Sequence, residues 1–340
     1  MSHETDIVRD YWSHFDCSAS EENFYLFPPI RARSCELIFG EVDAARRDWC
    51  EYWTIEKLLK DRIPFEKCLS VCCGFGEIER ILARQNVARQ FVGTDIAPGA
   101  IEQAKQQAAN EGLANIEYYV ADLNQDDLPA GEFDLIWANG ALHHISNLDV
   151  VIPKLHVALK DGGMLISNEY VGPNHQQLSG RQQELINVVK HILPPELRSE
   201  KVYYGTGGGS ILAALLRGLK KLLGKFSKRH DRRFGQIWKM PSLDYMLKTD
   251  PSEGVNASQI IQTLEQHFEQ VDVRRYHGSL LRYALDHHFY KNFDINQPRH
   301  RAILDALFKL EDQLIAAGEI PNDNAHLICR KDAATNVAAA

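Results

Sequence analysis

Cys68-Leu-Ser-Val-Cys-Cys-Gly-Phe-Gly-Glu-Ile-Glu-Arg80 is the stretch on which the reading of this chain turns. Leu69 and Val71 alternate as in a short buried strand. Gly74-Phe75-Gly76 is a turn with little side-chain bulk, and Ile78, Ile81 and Leu82 then recur at helical spacing. A strand, a glycine turn and a helix start, in that order, form a nucleotide-type site. Glycine lets backbone approach a ligand closely, and a helix N-terminus presents N–H groups that the helix itself does not use. The turn lacks the three-glycine dinucleotide signature, and no Gly-Lys-Ser/Thr run follows, which argues against a nucleoside triphosphate.

Working outward, residues 64–170 alternate strand and helix. Residues 90–96 read as a second strand ending in Asp95, 100–109 as a helix, and Ile116–Val120 as a third strand followed by Asp122. Phe133–Asn139 reads as a fourth strand, 150–159 as a helix closed by Asp161-Gly162-Gly163, and 164–167 as a fifth strand leading into Asn168-Glu169-Tyr170. Short apolar strands alternating with helices predict an α/β fold, a Rossmann-like doubly wound sheet. Ligands of such sheets sit at the carboxyl ends of the strands. Gly74, Gly76, Asp95, Asp122, Asn139, His143, His144 and Glu169 all fall at or just after those ends.

The flanks divide the rest. Residues 1–60 are helical and aromatic, broken at Pro28-Pro29, and are read as an N-terminal lid, with plain core packing as the competing account. Residues 61–170 are the core. Residues 171–265 are a helical cap or substrate region, with a helix over 181–193, a Gly205–Gly209 hinge, a turn at Asp250-Pro-Ser-Glu-Gly254 and a capping box at Asn256-Ala-Ser-Gln259. Residues 266–331 hold strands over 271–276 and 326–329 and a helix over 302–316, completing the sheet. Within the cap, 211–233 combines leucines at helical spacing with Arg217, Lys220, Lys221, Lys225, Lys228, Arg229, Arg232 and Arg233. Such a helix either covers the site or lies on an anionic membrane surface.

Composition bounds the function. The 340 residues are 44% hydrophobic and 25% charged, as in an ordinary globular protein, and the net charge of -8 argues against wholesale nucleic-acid binding. No apolar run reaches the roughly 18 residues of a membrane span. An odd count of 7 cysteines without a framework, and a polar N-terminus, predict reduced thiols and a cytoplasmic location, with the inner membrane face open to the basic helix.

Two acids have direct ligand roles by position. Asp95 follows the glycine turn by about 20 residues, where a carboxylate accepts both hydroxyls of a ribose; its alternative is a helix N-cap. Asp122 would accept from an adenine amino group, with Leu123 as an apolar edge; its alternative is a loop acid.

Taken together, Val71-Cys-Cys-Gly-Phe-Gly76, Gly93-Thr-Asp-Ile, Ala121-Asp-Leu, Phe133-Asp-Leu-Ile, Leu142-His-His-Ile and Leu159-Lys-Asp-Gly-Gly resemble the class I S-adenosylmethionine-dependent methyltransferases. The family's usual first glycine is replaced here by Cys72. The resemblance implies a seven-stranded sheet whose last two strands are an antiparallel pair. It implies S-adenosyl-L-methionine as cofactor, held by Cys73, Gly74, Gly76, Asp95, Ile96, Asp122, Leu123 and Asn139. Asn168-Glu-Tyr-Val-Gly-Pro173, Asp250-Pro-Ser-Glu-Gly-Val255 and the 318–331 stretch resemble bacterial methyltransferases found with sugar and surface-polysaccharide genes. That implies O-methylation of a sugar, glycan or glycosylated small molecule.

An alcohol acceptor loses a proton on methylation, and histidine titrates near neutral pH. His143 or His144 is therefore expected as general base, oriented by Glu169, with Tyr170, His175 and Glu253 as further substrate contacts. No carboxylate cluster reads as a magnesium site, so metal-free chemistry is expected. N- or C-methylation of another metabolite, and an inactive cofactor-binding partner protein, are the competing readings.

Overall fold

The computed structural model describes residues 3–14, 24–44, 47, 49–198, 238–285 and 290–333. The Gly205–Gly209 hinge and the basic segment 211–233 lie outside the described residues.

Seven strands form one sheet: β1 (Phe65–Val71), β2 (Ala88–Asp95), β3 (Ile116–Val120), β4 (Phe133–Asn139), β5 (Leu159–Tyr170), β6 (Gln270–Tyr276) and β7 (Asn324–Arg330). Their order is β3-β2-β1-β4-β5-β7-β6, parallel through β5, with β7 antiparallel to both of its neighbours. This is the Rossmann-like arrangement expected, including the antiparallel final pair. Strand order reverses between β1 and β4, which opens the crevice where such sheets take ligands.

The strands are continuous apolar runs because both faces are covered. Leu69, Val71, Ile136 and Ala138 enter one core with helix α6 (Leu148–Ala158) and helix α9 (Ile260–His267). Their strand neighbours Cys68, Leu135 and Trp137 enter the other with helix α4 (Glu77–Arg84) and helix α5 (Pro98–Asn110). The period of two thus serves both layers at once.

The remaining described helices are α1 (His3–Ser13), α2 (Pro28–Phe39), α3 (Cys50–Thr54), α7 (Gly180–Ile192), α8 (Leu243–Thr249), α10 (Ser279–Ala284) and α11 (Pro298–Ala316). Pro28 and Pro29 start α2 rather than break a helix, because proline's missing N–H is unused in a first turn. Asp161-Gly162-Gly163 lies inside β5, which begins directly where α6 ends. The capping box expected at Asn256 does not form. Asn256 Nδ2 instead donates to the carbonyls of Ile145 and Ser146, and among the described residues a capping box forms at Ser179 with Gln182, opening α7.

Residues 1–176, 249–277 and 322–340 make one compact unit, which contains the whole sheet. Residues 177–248 and 278–321 make a second, in which α7 and α11 both pack on α10. The division drawn from sequence at 171, 265 and 331 differs. The chain leaves the first unit at 177, returns for 249–277, and leaves again for 278–321.

Candidate active site

Chain reversals at the carboxyl ends of β1 to β4 surround one pocket. Cys72 and Gly74 follow β1; Thr94, Asp95 and Ile96 end β2; Ala121 to Asn124 follow β3; Gly140, His144, Ile145 and Ser146 follow β4. Thr5, Val8 and Trp12 of α1 and Pro251, Ser252 and Val255 of the 250s turn complete the wall. Of the residues expected from sequence, Gly74, Asp95, Ile96, Asp122, Leu123 and His144 line it.

Asp95 anchors the glycine-turn side of the pocket. One carboxylate oxygen accepts from Gly74 N–H and the other from Ala97 N–H, each at 2.9 Å. The acid therefore ties the glycine turn to the start of α5 and retains lone pairs for further donors. Burial raises its pKa, against the pull of the Ala97, Gly74 and Ile96 N–H groups. Gly74 takes φ +52°, and no atom lies within 4 Å of where a Cβ would stand, so bare backbone faces open space. Cys72 takes φ +49°, a conformation natural to glycine and strained for other residues. The backbone thus keeps a glycine-like turn although the residue is cysteine.

Asp122 lines the pocket but is engaged by its own turn. Its Oδ1 accepts from Asn124 N and Nδ2 at 3.1 Å, and its Oδ2 from Gln125 Nε2 at 2.6 Å. Cys73, Gly76 and Asn139 do not reach the wall. Cys73 donates its N–H to Thr94, and burial drives its thiol pKa well up. Gly76 packs under Tyr118, and Asn139 ends β4 one residue before Gly140 faces the pocket.

The histidine side is built on Glu169. Its carboxylate accepts from the N–H groups of Ala141, Leu142 and His143 at 2.8, 2.8 and 3.3 Å, and from Ser167 Oγ at 3.0 Å. His143 Nδ1 lies 2.7 Å from the same carboxylate, so that nitrogen is the protonated donor. One buried acid thereby fixes both the short turn Leu142–His144 and the tautomer of His143.

His144 is fixed differently. Its Nδ1 lies 3.0 Å from Ser252 Oγ, which donates its own proton to Asp250 Oδ1 at 2.5 Å. The hydroxyl therefore accepts from Nδ1–H, and the lone pair of His144 lies at Nε2. Glu253 Oε2 stands 3.8 Å from Nε2, and the edge of Trp12 meets the ring with centroids 5.3 Å apart. Burial first, then His143, lowers the pKa of His144 and favours its neutral form.

Tyr170 Oη donates to Pro173 carbonyl at 3.0 Å, and His175 Nδ1 contacts Glu253 carbonyl at 3.2 Å, so both brace loops behind the wall. Glu253 joins His143 and His144 in a group whose ligand-type atoms all lie within 4.8 Å of one another. Sequence spacing could not show that grouping. Ser252 and Asp250 were also missed, hinted at only by the acid-rich 250–254 turn, and Trp12 stood in the sequence only as one aromatic of the expected N-terminal lid.

Residues 68–163 match a family model described as "Methyltransferase domain". A malonyl-[acyl-carrier protein] O-methyltransferase from Paenibacillus sp. (strain JDR-2) is 30% identical over 122 residues, covering 35% of this chain and 44% of that protein. A 2-phytyl-1,4-naphtoquinone methyltransferase from Nostoc sp. is 27% identical over 145 residues, covering 41% and 62%. The chain thus spans less than two thirds of the length of these relatives. Phosphoethanolamine N-methyltransferase 2 of Haemonchus contortus, solved with S-adenosyl-L-methionine, is 16% identical, covering 96% of this chain and 60% of that one, with a TM-score of 0.44. The matched segment runs from within β1 through β4 and includes the strand-end residues from Cys72 to Asn124, and S-adenosylmethionine is the cofactor of this domain.

Proposed function

We propose that this chain is an S-adenosylmethionine-dependent methyltransferase that methylates a hydroxyl on a small polar acceptor, a sugar or a glycosylated small molecule. The observation that carries the reading is the juxtaposition of two halves in one pocket. An acid-and-glycine donor wall faces His144, whose ring is held by Ser252, and the His143 ring, held by Glu169, lies 4.2 Å from it between centroids.

The residues fit the donor. Asp95 offers a carboxylate edge for ribose hydroxyls, Ile96 and Leu123 offer apolar surface, and Gly74 leaves room for close approach. When bound, S-adenosylmethionine supplies a methyl group on a sulfonium, transferred by in-line displacement. The chain has three tasks around it. Asp95 and the glycine turn orient the donor; Trp12 and Val8 of α1 cover the pocket against water; the imidazole pair drives loss of the acceptor's proton at Nε2. Both rings present Nε2 as the basic nitrogen because both Nδ1 protons are committed elsewhere.

The sugar acceptor is supported by the flanking sequence, in Asn168 to Pro173 and Asp250 to Val255. Incubation with methyl-labelled S-adenosylmethionine and a panel of sugars, nucleotide sugars and glycosides tests it. Label in a base-stable ether of a sugar is the expected result. Label confined to amines, or donor binding without transfer to any acceptor, would overturn it.

A further inference from the structure

We propose that His143, His144 and Glu253 hold a divalent transition-metal ion beside the pocket, whose wall His144 reaches. The inference rests on the methyltransferase reading and deepens its acceptor side: the imidazole lone pairs go to the ion, which takes over from them the activation of the acceptor hydroxyl.

The three ligand atoms lie within 4.8 Å of one another. Bonds of about 2.0–2.2 Å from imidazole nitrogen and carboxylate oxygen place ligands up to roughly 4 Å apart, so small side-chain rotations close the set. Orientation is the stronger argument. A metal-binding imidazole normally gives its other N–H to a carboxylate or a polar oxygen, which fixes the tautomer and turns the lone pair inward. Both rings do this here. His143 Nδ1 donates to Glu169 at 2.7 Å, and His144 Nδ1 to Ser252 Oγ at 3.0 Å, with Asp250 behind the serine. Glu253 is braced as well, one oxygen accepting from Gln176 Nε2 while the other stands 3.8 Å from His144 Nε2. A general base needs one such support; here all three side chains of one close group have one.

Two imidazoles and one carboxylate are a ligand set for zinc or iron(II) rather than magnesium or calcium, which prefer all-oxygen shells. The set leaves coordination positions open. An acceptor with two neighbouring oxygens, a vicinal diol or an α-hydroxy acid, would fill them, and an oxygen on the ion gives up its proton to water more readily, leaving an alkoxide to meet the methyl group. The ion would then select which hydroxyl faces the donor.

Chelator-treated full-length protein titrated with cobalt(II) chloride tests this directly. One equivalent should bind with an enhanced visible ligand-field spectrum, and zinc(II) should displace it. His144→Ala and Glu253→Gln should each weaken cobalt binding by about 100-fold, and Ser252→Ala by about 10-fold. Circular dichroism and donor calorimetry confirm that each variant is folded. No cobalt uptake by the wild-type chain, or equal uptake by His144→Ala and Glu253→Gln, would overturn the proposal. No cobalt uptake by a wild-type chain that still binds the donor and transfers its methyl group defeats this inference alone. Metal binding without any donor affinity defeats the methyltransferase reading instead.

Discussion

The donor half of the pocket and its acceptor half are built on opposite plans. The donor half comes from Cys72 to Asn124, successive strand ends close in sequence, and relies on backbone: Gly74 N–H and Ala97 N–H held by one acid. The acceptor half joins Trp12, His144 and Ser252, more than 100 residues apart at each step, and relies on side chains that set one another's proton positions. A backbone cradle tolerates exchange of its side chains so long as the chain path persists. A side-chain relay does not tolerate loss of any member. Cys72 in a glycine-type conformation illustrates the first case; the Asp250–Ser252–His144 series illustrates the second.

The comparison can be broken most sharply at His144. His144→Ala should lower turnover by about 1000-fold while donor affinity stays within about threefold, read by steady-state kinetics beside calorimetry. Equal loss of both would mean that the halves are not separate.

The next largest effect concerns the acid beneath the donor half. Glu79 is wholly buried, and burial raises its pKa from 4.5 to about 7, against weaker pulls from the Ser70 hydroxyl, its own backbone N–H and Arg80. The folded state therefore binds more protons than the unfolded chain between about pH 4.5 and 7. Its contribution is full below that window and is lost as pH rises through it. Glu79→Gln should exceed the wild type in unfolding free energy by up to about 3 kcal/mol at pH 8 and match it near pH 4.5, by denaturant titration.

Asp95→Ala tests the donor half itself. Donor affinity should fall about 100-fold, since the ribose loses its acceptor and two N–H groups lose theirs. Unchanged affinity would remove the assignment. The smallest effect belongs to Cys72→Gly, which relieves a strained φ. Stability should change by about 1 kcal/mol or less, and donor affinity by less than about threefold.

Much of the donor half was legible because its signals are local. The period of two in β1 and β4 marks strands covered on both faces, and polar residues recur where each strand ends. Even so, Cys73 and Gly76 turned away from the pocket, because alternation along β1 and the start of α4 sends them toward Tyr118. Asn256 shows the opposite failure. Its sequence fits a helix cap, yet the carbonyls of Ile145 and Ser146 take its amide.

From its sequence alone the chain was destined for a doubly wound sheet with a glycine turn under Asp95, because hydrophobic period and turn chemistry act over a few residues. Only the tertiary structure decided that Ser252, Glu253 and Trp12 meet the histidine pair. Contacts across so many residues depend on how the layers pack, and no local pattern records that.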